Sequence, residues 1–366
     1  MRHITFIRPK LGEGAPADAM TPLVFALLKG ATPADIDTVL IDERVEPYSP
    51  VPTDLVAISV ESFTARRAYE IAEDYRMRGV PVVMRCPNYR LFCPSGLHLS
   101  HGQVCERCLG GKEYWCVLRN CENDGFKSLG YALRNAVARI TRSILDNVSI
   151  FIVLSQFQKQ RFIHAGIPAH RLEILPNVVP QANGDGSDQI GELVTFVGRA
   201  SPEKGIGDFV AAARHLPDLP FAVAGATDRV PDLVASSPPN VRWLGFLKEK
   251  ELNEAYTRSR VLVFPFRWFE GFPNVITHSM ALQRPVLASR IGAVPEIVDE
   301  GRTGLLFDTG NVDDLVTKLR TLYADKARCR EMGAAGRAKA LAAYGPEGVY
   351  TRLMEIYQQA LTNGLS

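Results

Sequence analysis

The apolar run Val261-Leu262-Val263-Phe264-Pro265, followed by Phe269-Glu270-Gly271-Phe272-Pro273-Asn274-Val275-Ile276-Thr277-His278-Ser279-Met280-Ala281, decides how this chain is read. The β-branched and aromatic run reads as a buried strand, and the segment after it reads as a loop that opens a helix. A helix starting near Pro273 or Asn274 presents unpaired backbone N–H groups to an anion. Glu270, just ahead of it, can accept hydrogen bonds from hydroxyl groups; its other reading is a helix-capping acid.

The same strand, loop and helix sequence occurs earlier. The strand Leu193–Val197 is followed by Gly198-Arg199-Ala200-Ser201-Pro202-Glu203-Lys204-Gly205 and then a helix. Arg199 offers a planar fork to phosphate oxygens and Lys204 a point charge, while Gly198 and Gly205 let the backbone approach closely. In isolation the octapeptide reads equally well as a solvated charged turn.

Outward from these two segments the chain alternates strands and helices. In the second half the expected strands are Leu193–Val197, Phe221–Ala224, Val241–Trp243, Val261–Phe264, Val286–Ala288 and Gly304–Phe307. Helices are expected over about Val312–Tyr323, Asp325–Ala343 and Glu347–Leu361. In the first half the strands are Ile4–Ile7, Thr38–Ile41, Leu55–Val60, Val80–Met84, Ile150–Leu154 and Leu172–Leu175. An amphipathic crossover helix spans Thr64–Arg78, another helix runs from about Ser128 to Leu145, and a third covers Gln156–Ala165. Residues Gln181–Gln189 are small, polar and glycine-rich, as in a flexible connection. The expectation is α/β: two Rossmann-like, doubly wound parallel-sheet domains facing across a cleft, with ligands at the carboxyl ends of the strands. The boundaries read are 1–180, with a cysteine-bearing insertion at 86–124, then 193–345, then a helix at 346–366 that packs back across the domains.

With 366 residues, 46% hydrophobic and 22% charged residues and a net charge of +2, the chain lacks the basic excess of a nucleic-acid binder. It opens directly into Ile4–Ile7 with no leader of signal-peptide form, and no apolar run approaches the roughly 18 to 20 residues of a membrane span, so a cytoplasmic location is expected. Five of the seven cysteines lie between Cys93 and Cys121. In a reducing compartment such a cluster means a metal site or simply free thiols.

The order of Gly198–Gly205, Asn240–Leu247, Phe269–Ala281 and Gly292–Phe307 resembles the donor domain of the retaining glycosyltransferases of family four, which have the GT-B fold. This resemblance covers about residues 193–344. It implies a nucleoside diphosphate sugar as donor substrate, with Arg199 and Lys204 on the diphosphate and Glu270 on the sugar. It also implies that the backbone of Gly271, Phe272, Pro273 and Asn274 faces sugar and phosphate, and that Gly245-Phe246-Leu247 flanks the base. One departure stands out: the family usually places a second glutamate eight residues after the first, on the ribose hydroxyls, and His278 stands there. No cofactor is implied, and the only Asp-x-Asp, Asp35-Ile36-Asp37, lies away from the donor motifs. An acceptor that is a saccharide or lipid-linked, with peripheral contact at the inner face of a membrane, is suggested by the family alone.

Asn88–Pro94, Val104–Gly111, Cys116 and Cys121 resemble an insertion found in a subset of the same family, and the match continues through Ile152–Ser155 and Leu175–Asn177. Cys93, Cys105, Cys108 and Cys121 supply four thiolates for a tetrahedral zinc if they converge; free buried thiols are the equal alternative. Residues 1–84 differ. Phe6–Pro9, Asp18–Leu23, Asp42–Arg44 and Asp54–Tyr69 resemble the N-terminal cobalamin-binding-type domain of certain radical S-adenosylmethionine enzymes, without their CxxxCxxC motif. A cobalamin-binding regulatory module and a nucleotide-sugar-binding hybrid with impaired catalysis are therefore the competing functional readings. Gly12-Glu13-Gly14 is the candidate for the glycine-rich acceptor loop, and Pro87 stands where the glycosyltransferase family has a histidine.

Overall fold

The computed structural model describes residues 3–9, 32, 34–43, 46–58, 65–179 and 190–363. The Gly12–Gly14 loop, the Asp18–Leu23 segment, part of the Asp54–Tyr69 match and the connection at 181–189 lie outside the described residues.

Six parallel strands form the first sheet: β1 (His3–Arg8), β2 (Asp37–Asp42), β3 (Leu55–Ile58), β4 (Val82–Arg85), β7 (Ile150–Val153) and β8 (Leu172–Ile174). Their spatial order is β2-β1-β3-β4-β7-β8. A small antiparallel hairpin, β5 (Leu99–Ser100) with β6 (Gln103–Val104), belongs to the insertion between β4 and β7. The second sheet comprises β9 (Leu193–Val197), β10 (Phe221–Ala224), β11 (Val241–Gly245), β12 (Ser259–Phe264), β13 (Val286–Ser289) and β14 (Gly304–Phe307). It is also wholly parallel, in the order β11-β10-β9-β12-β13-β14. Both architectures are those expected of alternating β and α segments, whose crossover helices cover both faces of a sheet. The strands show it: β7 (IFIV), β10 (FAVA) and β12 (SRVLVF) are buried along their whole lengths.

In the second domain one core layer gathers Phe264, Ile276 and Met280, and the opposite layer Phe196, Phe209, Phe221 and Phe307. The last helix, Pro346–Asn363, lies against the first domain. Its Val349, Leu353, Ile356 and Tyr357 pack with Ile4, Phe6, Leu55 and Ile150.

One expected element is divided. The helix read from about Ser128 to Leu145 is two helices, Gly125–Ile140 and Ser143–Asn147. Between them Thr141 turns its hydroxyl onto the carbonyl of Val137 (2.8 Å), and Arg142 adopts a left-handed conformation with φ 55°. The left-handed backbone of Arg142 is what breaks the helix, since threonine hydroxyls bond carbonyls in the same way inside the unbroken helix Val312–Ala324, and it is invisible in the apolar spacing that continues through Ile144.

Candidate functional site

The strand order of the second sheet reverses at β9, so the segments that leave β9 and β12 in opposite directions diverge from two neighbouring strands. That divergence opens a crevice at the carboxyl ends. Glycines make the crevice floor possible. Gly198 follows β9 with φ 138°, and Gly225 follows β10 with φ 158°; a Cβ on Gly225 would sit 1.9 Å from the Gly198 carbonyl. Gly205 has φ 75°, and a Cβ there would lie 1.6 Å from the carbonyl of Pro265, so the Lys204–Gly205 turn is seated directly on the segment after β12.

This seating brings the two charged motifs together. Lys204 Nζ makes an ion pair with Glu270 Oε1, and the same oxygen accepts from Trp268 Nε1 at 3.0 Å. The Lys204 ammonium also lies 5.0 Å from the Trp268 ring centroid and 5.3 Å from that of Phe266. Glu270 is 7% exposed, so its charge is held by these donors and not by water. Arg199 Nη2 donates to Glu203 Oε1 at 2.9 Å. Burial pushes the Glu203 carboxyl up, but the Ser201 hydroxyl, a backbone N–H and Arg199 outweigh it and hold the group below its ordinary value. Arg267 clasps Asp208 through two hydrogen bonds (2.7 and 2.5 Å) and ties the post-β12 loop to the helix Ile206–His215.

The helix Asn274–Ala281 starts after Pro273, and no side chain caps it. Its first N–H groups are therefore available to an anion, aided by the positive end of the helix dipole. Asn274 Oδ1 accepts from Asn177 Nδ2 across the domain boundary. Gly271, Phe272 and Pro273 are buried, with Phe272 against Tyr344 (centroids 5.1 Å apart). His278 lies one turn into the helix: Nε2 is 3.2 Å from Asn253 Oδ1, and the ring is 4.8 Å from Tyr256. Burial lowers its pKa, favouring the neutral imidazole. Gly245 ends β11 with φ 70°, Leu247 is half-buried, and Phe246 is 80% exposed at the rim.

The first domain supplies the opposite wall. Gly271 has the Pro87 carbonyl and the Gln158 side chain as its nearest neighbours across the boundary. Gln158 is itself fully buried, donating to the Cys86 carbonyl at 2.9 Å while its Oε1 accepts from Leu154 N at 2.7 Å. Phe269 inserts among Phe157 (4.8 Å), Arg161 (5.6 Å) and His98 (6.0 Å). Glu296 accepts from the backbone N–H groups of Gln156 (2.8 Å) and Phe157 (2.5 Å), placing a carboxylate of one domain at a helix N-terminus of the other.

Buried atoms of this wall without a hydrogen-bond partner include Tyr89 Oη, His98 Nε2 and Arg161 Nε. His98 Nδ1 is 3.0 Å from the Cys105 carbonyl, which assigns the proton to Nδ1 and leaves Nε2 an acceptor. Burial lowers the His98 pKa, and the Tyr89 phenol is pushed up by burial and then by the charge of Glu270. Tyr89, His98, Gln158 and Trp268 escape sequence reasoning. Trp268 borders the Phe269–Ala281 motif and was within reach of it; the others become site residues only when the domains meet.

The cysteine cluster forms in space but not as a metal-ligand set. Cys108 is raised to about 12 by burial and by neighbouring Cys93, Cys121 and Cys105. Cys93 Sγ instead turns to Ser95 Oγ (3.4 Å), and Cys121 to Cys116 and Ser100 (3.6 Å to the latter). Among the described residues no three His, Cys, Asp or Glu side chains converge to hold a metal ion. Cys93, Cys105, Cys108 and Cys121, the four thiolates read as a zinc set, lie close enough together to raise the Cys108 thiol, but among the described residues they are not gathered as a metal-holding group.

Residues 191–325 match the family described as Glycosyl transferases group 1. Among curated proteins, alpha-maltose-1-phosphate synthase of Mycolicibacterium smegmatis is 30% identical over 192 residues, covering 48% of this chain and 49% of that protein. Sulfoquinovosyl transferase SQD2 of Arabidopsis thaliana is 36% identical over 150 residues, 40% of this chain and 29% of its own length. A GDP-mannose-dependent alpha-(1-6)-phosphatidylinositol monomannoside mannosyltransferase of Mycolicibacterium smegmatis is 28% identical over 240 residues, 58% and 63% of the two chains. The chain thus spans about half the length of the first relative and less than two thirds of the others. Among solved structures, Anabaena HepE in complex with UDP and glucose has a TM-score of 0.67 at 17% identity, covering 98% of this chain and 100% of that one. Sucrose-phosphate synthase from Thermosynechococcus elongatus has a TM-score of 0.65 at 16% identity, covering 99% and 100%. The fold is therefore GT-B, two Rossmann-like domains about a cleft, and the second domain carries the match to group 1 glycosyl transferases.

Proposed function

We propose that this chain transfers a sugar from a nucleoside diphosphate sugar to an acceptor hydroxyl, with retention of configuration at the anomeric carbon. The observation that carries the reading is the Lys204–Glu270 pair at the switch point of the second sheet, beside Arg199 and the uncapped helix start at Asn274. These groups suit the two halves of a sugar nucleotide: cations and backbone N–H groups for diphosphate, a carboxylate for sugar hydroxyls. Phe246, exposed at the rim, suits a base stacked on its ring. His278 offers one ring nitrogen to the ribose where a carboxylate would offer two oxygens.

In this mechanism the bond between the anomeric carbon and the diphosphate oxygen breaks as negative charge grows on the leaving phosphate. Lys204, Arg199 and the helix N-terminus stabilise that charge in place, without reorganisation. The acceptor hydroxyl attacks the same face and gives its proton to the departing phosphate oxygen, so no separate base is needed. The phosphatidylinositol monomannoside mannosyltransferase among the relatives favours a saccharide or lipid-linked acceptor. A cytoplasmic enzyme working at the inner membrane face fits that acceptor class.

Thermal shift with a panel of nucleoside diphosphates and their sugars tests the donor site, because a ligand stabilises the state it binds. A specific shift with turnover of one sugar nucleotide is expected. A shift without turnover leaves a nucleotide-sugar-binding protein, and no shift with any diphosphate removes the reading.

A further inference from the structure

In the insertion between β4 and β7 two cysteines meet thiol to thiol. The helix Tyr114–Leu118 carries Cys116 and ends at Arg119. Asn120 follows with φ 42°, its N–H donating to the Val117 carbonyl (3.0 Å), and the Cys121 N–H donates to the Cys116 carbonyl (3.0 Å). Two such bonds around a left-handed residue form the Schellman arrangement, in which the side chains of the residues joined by the outer bond come into contact. Here both of those side chains are cysteine.

The turn meets the demands of a disulfide. With the Cys121 nitrogen and the Cys116 oxygen 3.0 Å apart, standard bond lengths keep the two Cα atoms within about 7 Å. A disulfide spans Cα separations of about 4.4–6.8 Å and needs side chains that converge. They converge here, because the two thiols are hydrogen-bonded to each other. Neighbouring thiols are turned to other groups: Cys93 Sγ faces Ser95 Oγ at 3.4 Å, and Cys108 accepts from the backbone N–H of Cys116.

Exposure gives the two sulfurs different parts. Cys116 is fully buried and Cys121 half-buried, so a reagent from solvent reaches Cys121 first. Arg119 lies beside it, its Nε donating at 3.0 Å to the same Ser100 Oγ that the Cys121 thiol contacts at 3.6 Å. A cation next to a partly exposed thiol is the setting in which cysteines react, whereas a buried thiol is inert until something is brought to it.

We propose that Cys116 and Cys121 form a redox-reactive dithiol, closed to a disulfide by a low-molecular-weight disulfide of the glutathione type and reopened by the corresponding thiol. Cys121 gives its proton to solvent, and its sulfur attacks one sulfur of the small disulfide. That S–S bond breaks, its electron pair leaves on the other sulfur, which takes up a proton, and Cys121 is left in a mixed disulfide. Cys116, having lost its proton, then attacks Cys121 Sγ from the buried side, so the second small thiol departs towards solvent and is protonated there. The protein has given up two electrons and two protons, and the small disulfide has become two thiols. In a reducing compartment a bridge of this kind is transient and redox-sensing. Neither cysteine belongs to the proposed donor site, so the inference does not rest on glycosyl transfer.

The test is oxidation of the full chain, purified with reductant and chelator and then freed of both, in mixtures of reduced and oxidised glutathione. Remaining thiols are blocked with N-ethylmaleimide and the peptides are mapped by mass spectrometry. The parent is expected to lose two free thiols, to yield a peptide bridged between Cys116 and Cys121, and to recover both thiols in excess reduced glutathione. Cys116→Ala should stop at a glutathionyl adduct on Cys121, and Cys121→Ala should leave Cys116 unmodified; melting curves check that each variant folds, and the map of the parent needs neither. Unfolding in urea should raise the oxidised glutathione needed to half-form this bridge by about tenfold or more, because the turn that concentrates the two thiols is lost. The proposal is overturned if the folded parent stays reduced in oxidised glutathione, if the bridge maps to another pair, if Cys116→Ala takes up no glutathione at Cys121, or if the folded and unfolded chains need the same amount.

Discussion

The Lys204 ammonium rests on the carboxylate of Glu270, a residue 66 positions later in the chain and 7% exposed. Each is the other's partner, and each is also a contact assigned to the donor. On the proposed reading, donor binding would exchange this pair for a diphosphate against Lys204 and hydroxyl hydrogen bonds to Glu270.

Lys204→Ala should lower kcat by about 100- to 1000-fold, the effect of removing one preorganised group from a developing oxyanion. It should also lower the melting temperature, because Glu270 loses its counter-charge. Glu270→Gln keeps an acceptor for Trp268 Nε1 but leaves Lys204 without its counter-charge, so it too should melt below the parent while losing sugar-nucleotide turnover. Activity of Lys204→Ala within a few-fold of the parent, in a sugar-nucleotide turnover assay, would sink its role.

Gly205→Ala should be among the most damaging single-methyl changes. Its φ of 75° already costs an L-residue about 1–2 kcal/mol, and its Cβ would stand 1.6 Å from the Pro265 carbonyl. Gly301→Ala is the control: φ is 79°, with nothing within 4 Å of the added carbon. Denaturant melts should rank Gly205→Ala well below Gly301→Ala, and equal losses would show that conformation alone, without the contact, sets the cost.

Acid should destabilise the protein through His98 and His278. Burial lowers both pKa values from the ordinary 6.5, the Cys105 carbonyl offsetting part of the effect at His98. The unfolded chain then binds more protons than the native one as pH falls below about 6.5, so stability is full above that value and declines until the native imidazoles protonate. The melting temperature should fall between pH 7.5 and 5, by about 2 to 4 °C for each kcal/mol lost. His278→Gln should flatten part of that slope. A slope unchanged in both His278→Gln and His98→Gln would assign it to other groups.

Glu296→Gln should loosen the contact between the domains. The carboxylate lies on the N–H groups of Gln156 and Phe157 at a helix start, an arrangement worth about 0.3–2 kcal/mol. Solution scattering should report a larger radius of gyration for Glu296→Gln than for the parent, with each domain still folded; identical scattering curves would show that Phe269 and its aromatic neighbours hold the domains without it.

How far the sequence reached can be seen at particular residues. The strands Leu193–Val197, Phe221–Ala224 and Gly304–Phe307 coincide with the runs read from the sequence, since continuous apolar segments between turn residues are a local signal. The break at Thr141–Arg142 was not legible, because it depends on Arg142 taking a left-handed backbone conformation that its residue type does not announce. Nor was the side-chain arrangement of the cysteines: spacing brings the thiols near one another, while the contacts of Cys93 with Ser95 and of Cys121 with Cys116 and Ser100 are made only in the folded chain.

By itself the sequence determined the alternation of strands and helices, the two parallel sheets, and the placing of Arg199, Lys204 and Glu270 just beyond strand ends. These come from periodicity and from turn chemistry, which act over a few residues. Tertiary structure alone decided that β9 lies beside β12, which joins Lys204 to Glu270, and that His98 of the first domain meets Phe269 of the second. It also decided that an apolar strip of the helix Gly125–Ile140, Phe126, Leu129, Leu133, Val137 and Ile140, points outward. The spacing of that strip specifies a helical face, but which face is buried depends on what the rest of the chain leaves to pack against, and here Asn135 and Ser128 claim the inside through hydrogen bonds.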